Sequence, residues 1–300
     1  MSERTVQRLA SLSPEDTQDV LRLIDHAELA DGVRPVDEQT LLHLRHGAEH
    51  VGHLLLRVDG RLAGYASLDL TEPDVPGTAE GVVHPEYRRR GHGRALARAV
   101  LSGRDGRPLR AWAHGGHPAA DRLAGELGFA RVRALWQMRR PLDEPLPDPS
   151  YAGRYRVRTF VPGRDEQAWL EVNRRAFADH PEQGRLEPAD LRQREDEPWF
   201  DPSGFFLAEY DDGTGRIAGF HWTKVHDGTE QLGEVYVVGV DPDAQGDGLG
   251  RALTLTGLHH LRDRGLRTVL LYVDESNTAA IRMYESLGFT RWDTDVMYQG

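Results

Sequence analysis

The sequence predicts an α/β fold made of two tandem domains, each a mixed, twisted sheet flanked by helices. The length of 300 residues suits two domains, because single domains most often span about 100–150 residues. Four short segments also recur in the same order about half a chain later, with small insertions between them. A repeat this long indicates a duplicated domain rather than a solenoid.

The clearest repeated segment is a glycine-rich turn. Gly91-His-Gly-Arg-Ala-Leu returns 157 positions later as Gly248-Leu-Gly-Arg-Ala-Leu. RLAGYASL returns as RIAGFHWT, GVVHP as VVGVDP, and AGELGFARV as YESLGFTRW. Between the copies, RRPLDEPLPDPSYAGR has the Pro-rich, acidic composition of an extended linker. We therefore expect domains at 1–140 and 154–300, joined by a linker at 141–153.

Each copy has the same order of predicted elements, which is clearest in the second. A helix at 165–180 precedes a hairpin at 205–225, where DDGTG forms the turn. A buried strand at 233–240 leads through the glycine-rich turn into a helix. A strand at 267–273 is followed by a helix that Asn277 caps and Gly288 ends. A last strand, FTRWDTDVMYQ, closes the sheet.

Composition and charge limit the class of protein. The chain has no cysteine, which excludes disulfides, a thiol nucleophile and cysteine-ligated metal, and we expect no metal site. The net charge of −11 argues against nucleic-acid binding, since phosphate contacts need a basic surface. No signal-peptide pattern and no membrane-spanning apolar run are present. We expect a cytoplasmic monomer without a membrane partner.

The glycine-rich turn DPDAQGDGLGRAL lies between a buried strand and a helix. One interpretation is a pyrophosphate cradle, because unpaired N–H groups at a helix N-terminus favour an anion and glycines let it approach. The alternative is a glycine-rich turn without a ligand. The stretch lacks the ending of a Walker loop and the third glycine of a dinucleotide-binding fingerprint.

The motif and its context resemble the GNAT superfamily of acetyl-CoA-dependent N-acetyltransferases. Gln245-Gly-Asp-Gly-Leu-Gly250 and Arg88-Arg-Arg-Gly-His-Gly93 both match its [QR]-x-x-G-x-G motif, and the resemblance covers essentially the whole chain. It implies a splayed or bulged strand before the turn and acetyl-CoA as co-substrate. The acetyl-CoA contacts that it implies in the second copy are Val238, Gly239, Val240, Gln245, Gly246, Asp247, Gly248, Leu249, Gly250, Arg251, Asn277, Thr278, Ala279, Ala280, Ile281 and Arg282. Those implied in the first copy are Gly81, Val82, Val83, Arg89, Arg90, Gly91, His92, Gly93 and Arg94.

Acetyl transfer to an amine needs a base for the ammonium and benefits from an acid for the leaving thiolate. Glu234 opens the strand that runs to the turn and is the candidate base, acting directly or through water; otherwise it is a solvated carboxylate. The resemblance implies that Tyr284 is the acid; otherwise it is a core aromatic. At the repeat spacings these two fall on Gly77 and Ala124, and Asn277 falls on His117. The first copy therefore binds acetyl-CoA without catalysis, or is a structural relic.

Within the superfamily, the chain resembles the tandem members of mycothiol biosynthesis, in segments such as NRRAFADHPEQG, GFHWTKVH and LYVDESNTAAIRMYESLGF. This resemblance implies acetylation of the cysteinyl amine of cysteinyl-glucosaminyl-inositol. The substrate contacts that it implies are Glu38, Glu182, Lys224, Glu234 and Tyr272, with Asp37 as an alternative to Glu38. Lys224 is the only lysine of the chain. Asp247 departs from the pattern by placing a negative charge near the pyrophosphate.

Three other functions remain open on the sequence. The chain could acetylate an aminoglycoside-like amine or a protein N-terminus, or it could be a non-enzymatic acetyl-CoA-binding regulatory module. The Glu234 and Tyr284 pair favours an enzyme over the regulatory module.

Overall fold

The computed structural model describes residues 3–178, 180, 183–226 and 231–300, which divide into two units. The first unit runs to Trp136 and includes the chain's last residues, Asp293–Gly300; the second is Gln137–Trp292. The α/β class and the tandem repeat are confirmed, since each unit is a mixed sheet covered by helices. The boundaries at 140 and 154 stay a prediction, and residues 142–154 form no helix or strand.

The sheet of the first unit is antiparallel through its first four strands, and its fifth strand is parallel to the fourth. The strands are β1 Arg4–Leu9, β2 Val51–Val58, β3 Arg61–Asp69, β4 Gly77–Val83, β5 Leu109–Ala113 and β6 Ala130–Pro141, which continues into the second unit. The helices are α1 Pro14–Asp31, α2 Glu38–His46, α3 His92–Ser102 and α4 Pro118–Glu126.

The second unit repeats this order. Its strands are β7 Tyr155–Thr159, β8 Phe205–Tyr210, β9 Ile217–Val225, β10 Leu232–Val240, β11 Thr268–Asp274 and β12 Thr290–Gln299, which continues into the first unit. Its helices are α5 Glu166–Ala176, α6 Pro188–Glu195, α7 Leu249–Asp263 and α8 Thr278–Ser286. Strands β7 to β10 are antiparallel neighbours, and β11 is parallel to β10.

Helices cover both faces of each sheet, so the central strands are apolar at consecutive positions rather than at alternate ones. In β2, Leu55 packs with α1 and α2, whereas Leu54 and Leu56 pack on the face that α3 covers. In the second unit, Phe220 and Trp222 pack in the aromatic cluster around Trp169 of α5. The two faces fix the register of each strand, because a one-residue slip would expose both sets.

The last strand of each repeat crosses from one unit to the other. Residues Val296–Gln299 of β12 pair antiparallel with β5 in the first unit, where Gly300 also exchanges two backbone hydrogen bonds with Leu109. The end of β6 lies beside β11 in the second unit, where Leu142 N–H donates to the carbonyl of Arg267 over 2.8 Å. Each sheet is therefore completed by a segment of the other repeat.

Candidate active site

The glycine-rich turn of the second unit forms an open cradle at the start of α7. Gly248 is the N-cap at φ +75°, and no side chain caps the helix. Gly246 has φ +92°, and a Cβ at either glycine would find no atom within 4 Å. The N–H groups of the first turn of α7 therefore lie beside free space, an arrangement that suits a pyrophosphate.

Asp247 does not leave an unpaired negative charge in this cradle. Its carboxylate forms an ion pair with Arg154, and Oδ2 accepts a hydrogen bond of 3.1 Å from the Tyr155 hydroxyl. Both partners belong to the second unit and hold the carboxylate on the side of β7. The guanidinium of Arg154 therefore offsets the negative charge that Asp247 adds to the glycine-rich turn.

Strand β10 is bulged and separates from β11 as it approaches the cradle. Its pairing with β9 shifts register between Val235 and Val237, which leaves Tyr236 as the extra residue. Its pairing with β11 ends at Val235↔Leu271, and no described residue of β11 pairs with Tyr236–Val240. The backbone edge that should receive the acetyl-CoA arm is therefore open, as the resemblance implied. Gly239 is required here, because a Cβ would lie 2.6 Å from the Phe220 ring.

Glu234 lies in β10, just before the bulge, and is only 8% exposed. It is directly opposite Lys224 of β9, so the two side chains share one face of the sheet. Its Oε2 is 2.7 Å from Nε2 of His226, which follows the end of β9. The Lys224 ammonium lies 4.4 Å from the centre of the Trp199 ring and 5.3 Å from that of Tyr236. Glu234 is therefore a buried carboxylate with polar partners, rather than a solvated one.

Tyr284 lies in α8, which begins directly after β11. Asn277 caps this helix, because its Oδ1 accepts from the N–H of Ala280 over 3.1 Å. The Tyr284 ring packs edge-on against Phe289, and burial raises the pKa of the hydroxyl to about 12. The hydroxyl is thus protonated at neutral pH, as a general acid must be. Since β10 and β11 are parallel, α8 and the cradle begin at the same edge of the sheet.

The remaining substrate candidates differ in their surroundings. Tyr272 of β11 is 43% exposed, and its hydroxyl is 2.8 Å from Nε2 of Gln137, which donates to it. Glu182 lies outside the described residues. In the first unit, Asp37 uses Oδ1 to cap α2 by accepting from Thr40 N–H over 2.7 Å, whereas Glu38 is the first residue of the helix. The choice between Glu38 and Asp37 as a substrate contact stays a prediction.

The glycine-rich turn of the first unit has the same backbone but different partners. Gly91 is an αL N-cap at φ +79°, and Arg89 adopts φ +62° where the second copy has Gly246. The guanidinium of Arg88 binds both carboxylate oxygens of Asp31 over 2.6 and 2.7 Å and donates to the carbonyl of Val83 over 3.0 Å. That carbonyl, expected to face acetyl-CoA, already has a donor.

Equivalent arginines in the two units contact partners of different charge. Arg251 of α7 donates to the hydroxyl of Ser286 over 2.6 Å, while its counterpart Arg94 forms an ion pair with Glu126 of α4. The guanidinium of Arg251 thus contacts a neutral hydroxyl, whereas the charge of Arg94 is neutralised by a carboxylate. The Arg94 guanidinium is therefore less available to an anion than that of Arg251.

The bulge corrects one sequence-based assignment. Because Tyr236 is an extra residue, the counterpart of Glu234 is Thr78 rather than Gly77, and Thr78 pairs with Asp69 as Glu234 pairs with Lys224. The projection of Tyr284 onto Ala124 agrees with the structure, since both carbonyls accept from the N–H five residues later, over 3.1 and 2.9 Å. His117 replaces Asn277 as N-cap. The first unit thus lacks both proton-transfer groups.

Instead, the first unit has a buried polar cluster where β4 and β5 separate. His114 lies between two carboxylates, with Nε2 2.7 Å from Glu80 and Nδ1 2.8 Å from Asp295. Burial opposes the charge of His114, but the hydrogen bonds to Asp295 and Glu80 outweigh it and raise its pKa well above the ordinary value. Glu80 also accepts from the N–H of Asp37 over 3.0 Å, so the cluster helps to place the start of α2.

Sequence reasoning missed His226 and the cluster of Glu80, His114 and Asp295. The sequence did contain a signal for His226: it follows Lys224 by two residues, and residues two apart in a strand share one face of the sheet. The cluster had none, since its members lie 34 and 181 residues apart. Among the described residues, no group of three His, Asp or Glu side chains could hold a metal ion. No helix in the described ranges is long and apolar enough to span a membrane.

Comparison with known proteins agrees with the fold. The model of the acetyltransferase (GNAT) family matches residues 18–129 and 168–289, and the chain belongs to this family. A GCN5-related N-acetyltransferase from Sphaerobacter thermophilus superposes with a TM-score of 0.73 at 27% identity, over 99% of this chain and 95% of that one. A tandem GNAT protein from the clavulanic acid pathway has a TM-score of 0.77 at 22% identity, over 99% and 98% of the two chains, and supports the fold.

Within the family, the relatives of high identity share one name. The mycothiol acetyltransferase of Thermobispora bispora is 59% identical over 96% of this chain and 97% of its own length. That of Streptomyces coelicolor is 55% identical over 99% and 95%. The chain belongs to the same family as these mycothiol acetyltransferases.

Proposed function

We propose that the chain transfers the acetyl group of acetyl-CoA to the cysteinyl amine of cysteinyl-glucosaminyl-inositol, giving mycothiol and CoA. The observation that carries the proposal is the arrangement of the second unit, which combines an open cradle at the end of β10, a bulge within that strand, the buried carboxylate of Glu234 just before the bulge and the protonated hydroxyl of Tyr284 in α8. The name of its relatives, at 55–59% identity over the full length, supports the choice of substrate.

The second cradle is proposed to hold the pyrophosphate through the backbone N–H groups of residues 246–251 and the guanidinium of Arg251. The open edge at Val238–Val240 pairs with the pantetheine arm and directs an N–H to the thioester oxygen, where charge develops during transfer. Residues 277–282, at the start of α8, flank the thiol end. These assignments agree with the open space at Gly246 and Gly248.

Glu234 and Tyr284 are proposed to move the protons. Glu234 takes a proton from the cysteinyl ammonium, directly or through water, so that the free amine attacks the thioester carbonyl carbon. The carbon–sulfur bond breaks, Tyr284 donates its proton to the leaving thiolate, and the second proton lost by the attacking nitrogen restores the Tyr284 hydroxyl. Lys224, Tyr272, Glu38 and Glu182 are proposed to bind the hydroxyl-rich part of the substrate, because amines, carboxylates and phenols are suitable hydrogen-bond partners. No covalent enzyme intermediate is required, since the thioester is already activated.

The test is release of CoA by the purified protein with acetyl-CoA and one acceptor at a time. Cysteinyl-glucosaminyl-inositol should give turnover and a product acetylated on nitrogen, whereas an aminoglycoside and a peptide with a free N-terminus should give only background. Turnover with the aminoglycoside or the peptide alone would replace the substrate but keep the enzyme class. No turnover with any acceptor would favour the regulatory module. The cytoplasmic location and the monomeric state stay predictions.

A further inference from the structure

The proposed reaction delivers a proton to Glu234 in every cycle, and this carboxylate is buried. Glu234 is 8% exposed, with Leu270 beside it on β11 and Lys224 opposite it on β9. Transfer of that proton to water requires a group that contacts both Glu234 and the solvent. An ammonium such as Lys224 already carries its full set of protons and cannot accept another.

His226 meets this requirement among the described residues. Its Nε2 is 2.7 Å from Oε2 of Glu234, and its side chain is 33% exposed compared with 10% for that of Glu234. Its position is fixed by the hairpin, because its N–H donates to the carbonyl of Leu232 over 3.0 Å at the start of β10. A neutral imidazole can accept a proton at one nitrogen and release another from its second nitrogen.

We propose that His226 is the positioning and proton-relay residue of Glu234, an inference that rests on the proposed function. With its proton on Nδ1, the neutral ring accepts the substrate's proton from Glu234 at Nε2. It then releases the Nδ1 proton to water or buffer, and solvent exchange restores the starting tautomer. Until that exchange, the proton that remains on Nε2 is donated to the ionised carboxylate and holds it in one orientation. His226 itself does not contact the reacting atoms.

The test compares His226→Gln and His226→Ala with the wild-type protein in the acetyl-CoA and cysteinyl-glucosaminyl-inositol assay. Glutamine can still donate to Glu234 but cannot relay a proton, so we expect kcat to fall by roughly 10²-fold, as for loss of a proton-transfer group, with KM for the amine within about twofold. Added imidazole should restore much of the turnover of His226→Ala in proportion to its concentration. His259→Gln, which changes a partly exposed histidine of α7, is the matched control.

Three outcomes decide the proposal. Wild-type kcat in His226→Gln at low buffer concentration would overturn it. Loss of kcat that imidazole does not restore, with a raised KM and a lowered unfolding midpoint, would assign His226 a structural role only and would also overturn it. Failure of the wild-type protein to acetylate this amine would reject the proposed substrate, and the relay would then be measured with whichever acceptor supports turnover.

Discussion

Glu234 lies directly opposite Lys224 on neighbouring strands, and the corresponding pair in the first unit is Thr78 and Asp69. The second unit thus places a carboxylate and an ammonium on one face, where the first places a hydroxyl and a carboxylate. The pair in the first unit contains no cation for a substrate, because Thr78 is a neutral hydroxyl and Asp69 is a carboxylate. This difference assigns the proposed chemistry to the second unit.

Replacement of Tyr284 by phenylalanine should remove the proton for the leaving thiolate without disturbing the core. Because burial raises the pKa of Tyr284 to about 12, the hydroxyl stays protonated through the neutral range. We expect kcat to fall by about 10²-fold, KM for acetyl-CoA to stay unchanged, and the unfolding midpoint to stay near that of the wild type. Steady-state kinetics measure the first two quantities. A kcat equal to the wild type would remove Tyr284 from the mechanism.

The two N-cap glycines form a matched pair for locating the acetyl-CoA site used in catalysis. Gly248 and Gly91 have φ of +75° and +79°, and a Cβ at either would lie in open space. Alanine at each should therefore cost a similar 1–2 kcal/mol of stability, approximately, through backbone strain. Only Gly248→Ala should also raise KM for acetyl-CoA, by about tenfold. An equal rise in Gly91→Ala would place the catalytic cradle in the first unit.

His114→Gln should destabilise the first unit, because it leaves Glu80 and Asp295 as buried carboxylates without their cation. Removal of one partner from a buried ion pair typically costs about 3–5 kcal/mol. Since the pKa of His114 is raised in the folded protein, its contribution is complete below the unfolded value of about 6.5 and declines as pH rises through the folded value.

Denaturant unfolding at pH 6 and at pH 9 measures this effect. The wild-type protein should lose more stability between the two pH values than His114→Gln, while the partly exposed control His259→Gln should follow the wild type. A variant with wild-type stability at pH 6 would show that the cluster of Glu80, His114 and Asp295 contributes nothing to the fold.

Local patterns were sufficient to predict most of the elements. The N-cap Asn277, the αL glycines and the apolar strands are encoded by neighbouring residues, and the helices and strands formed where those signals lie. The destinations of β6 and β12 were not predictable in this way. ALWQMRR and DTDVMYQ both have the pattern of a closing strand, and the choice of sheet depends on long-range pairing.

Part of the candidate site could likewise be predicted from local patterns, and part of it depends on long-range pairing. The glycine-rich turns, Glu234 and Tyr284 lie in recognisable motifs. The resemblance implied a splayed or bulged strand but not which residue is extra. Because the glycine spacing hides an insertion within the strand, it points to Gly77, and not to Thr78, as the counterpart of Glu234. The contact between His226 and Glu234 arises only when the hairpin folds, and no motif marks it.

Turnover of cysteinyl-glucosaminyl-inositol by Glu234→Gln, compared with Thr78→Val at the matched position, tests the central claim most directly. Both variants remove a polar group from the same place in the repeated strand, so their folding costs are comparable controls for each other. The account predicts that kcat falls by about 10²-fold or more in Glu234→Gln and stays within twofold of the wild type in Thr78→Val. Wild-type turnover in Glu234→Gln, or an equal loss in Thr78→Val, would contradict it.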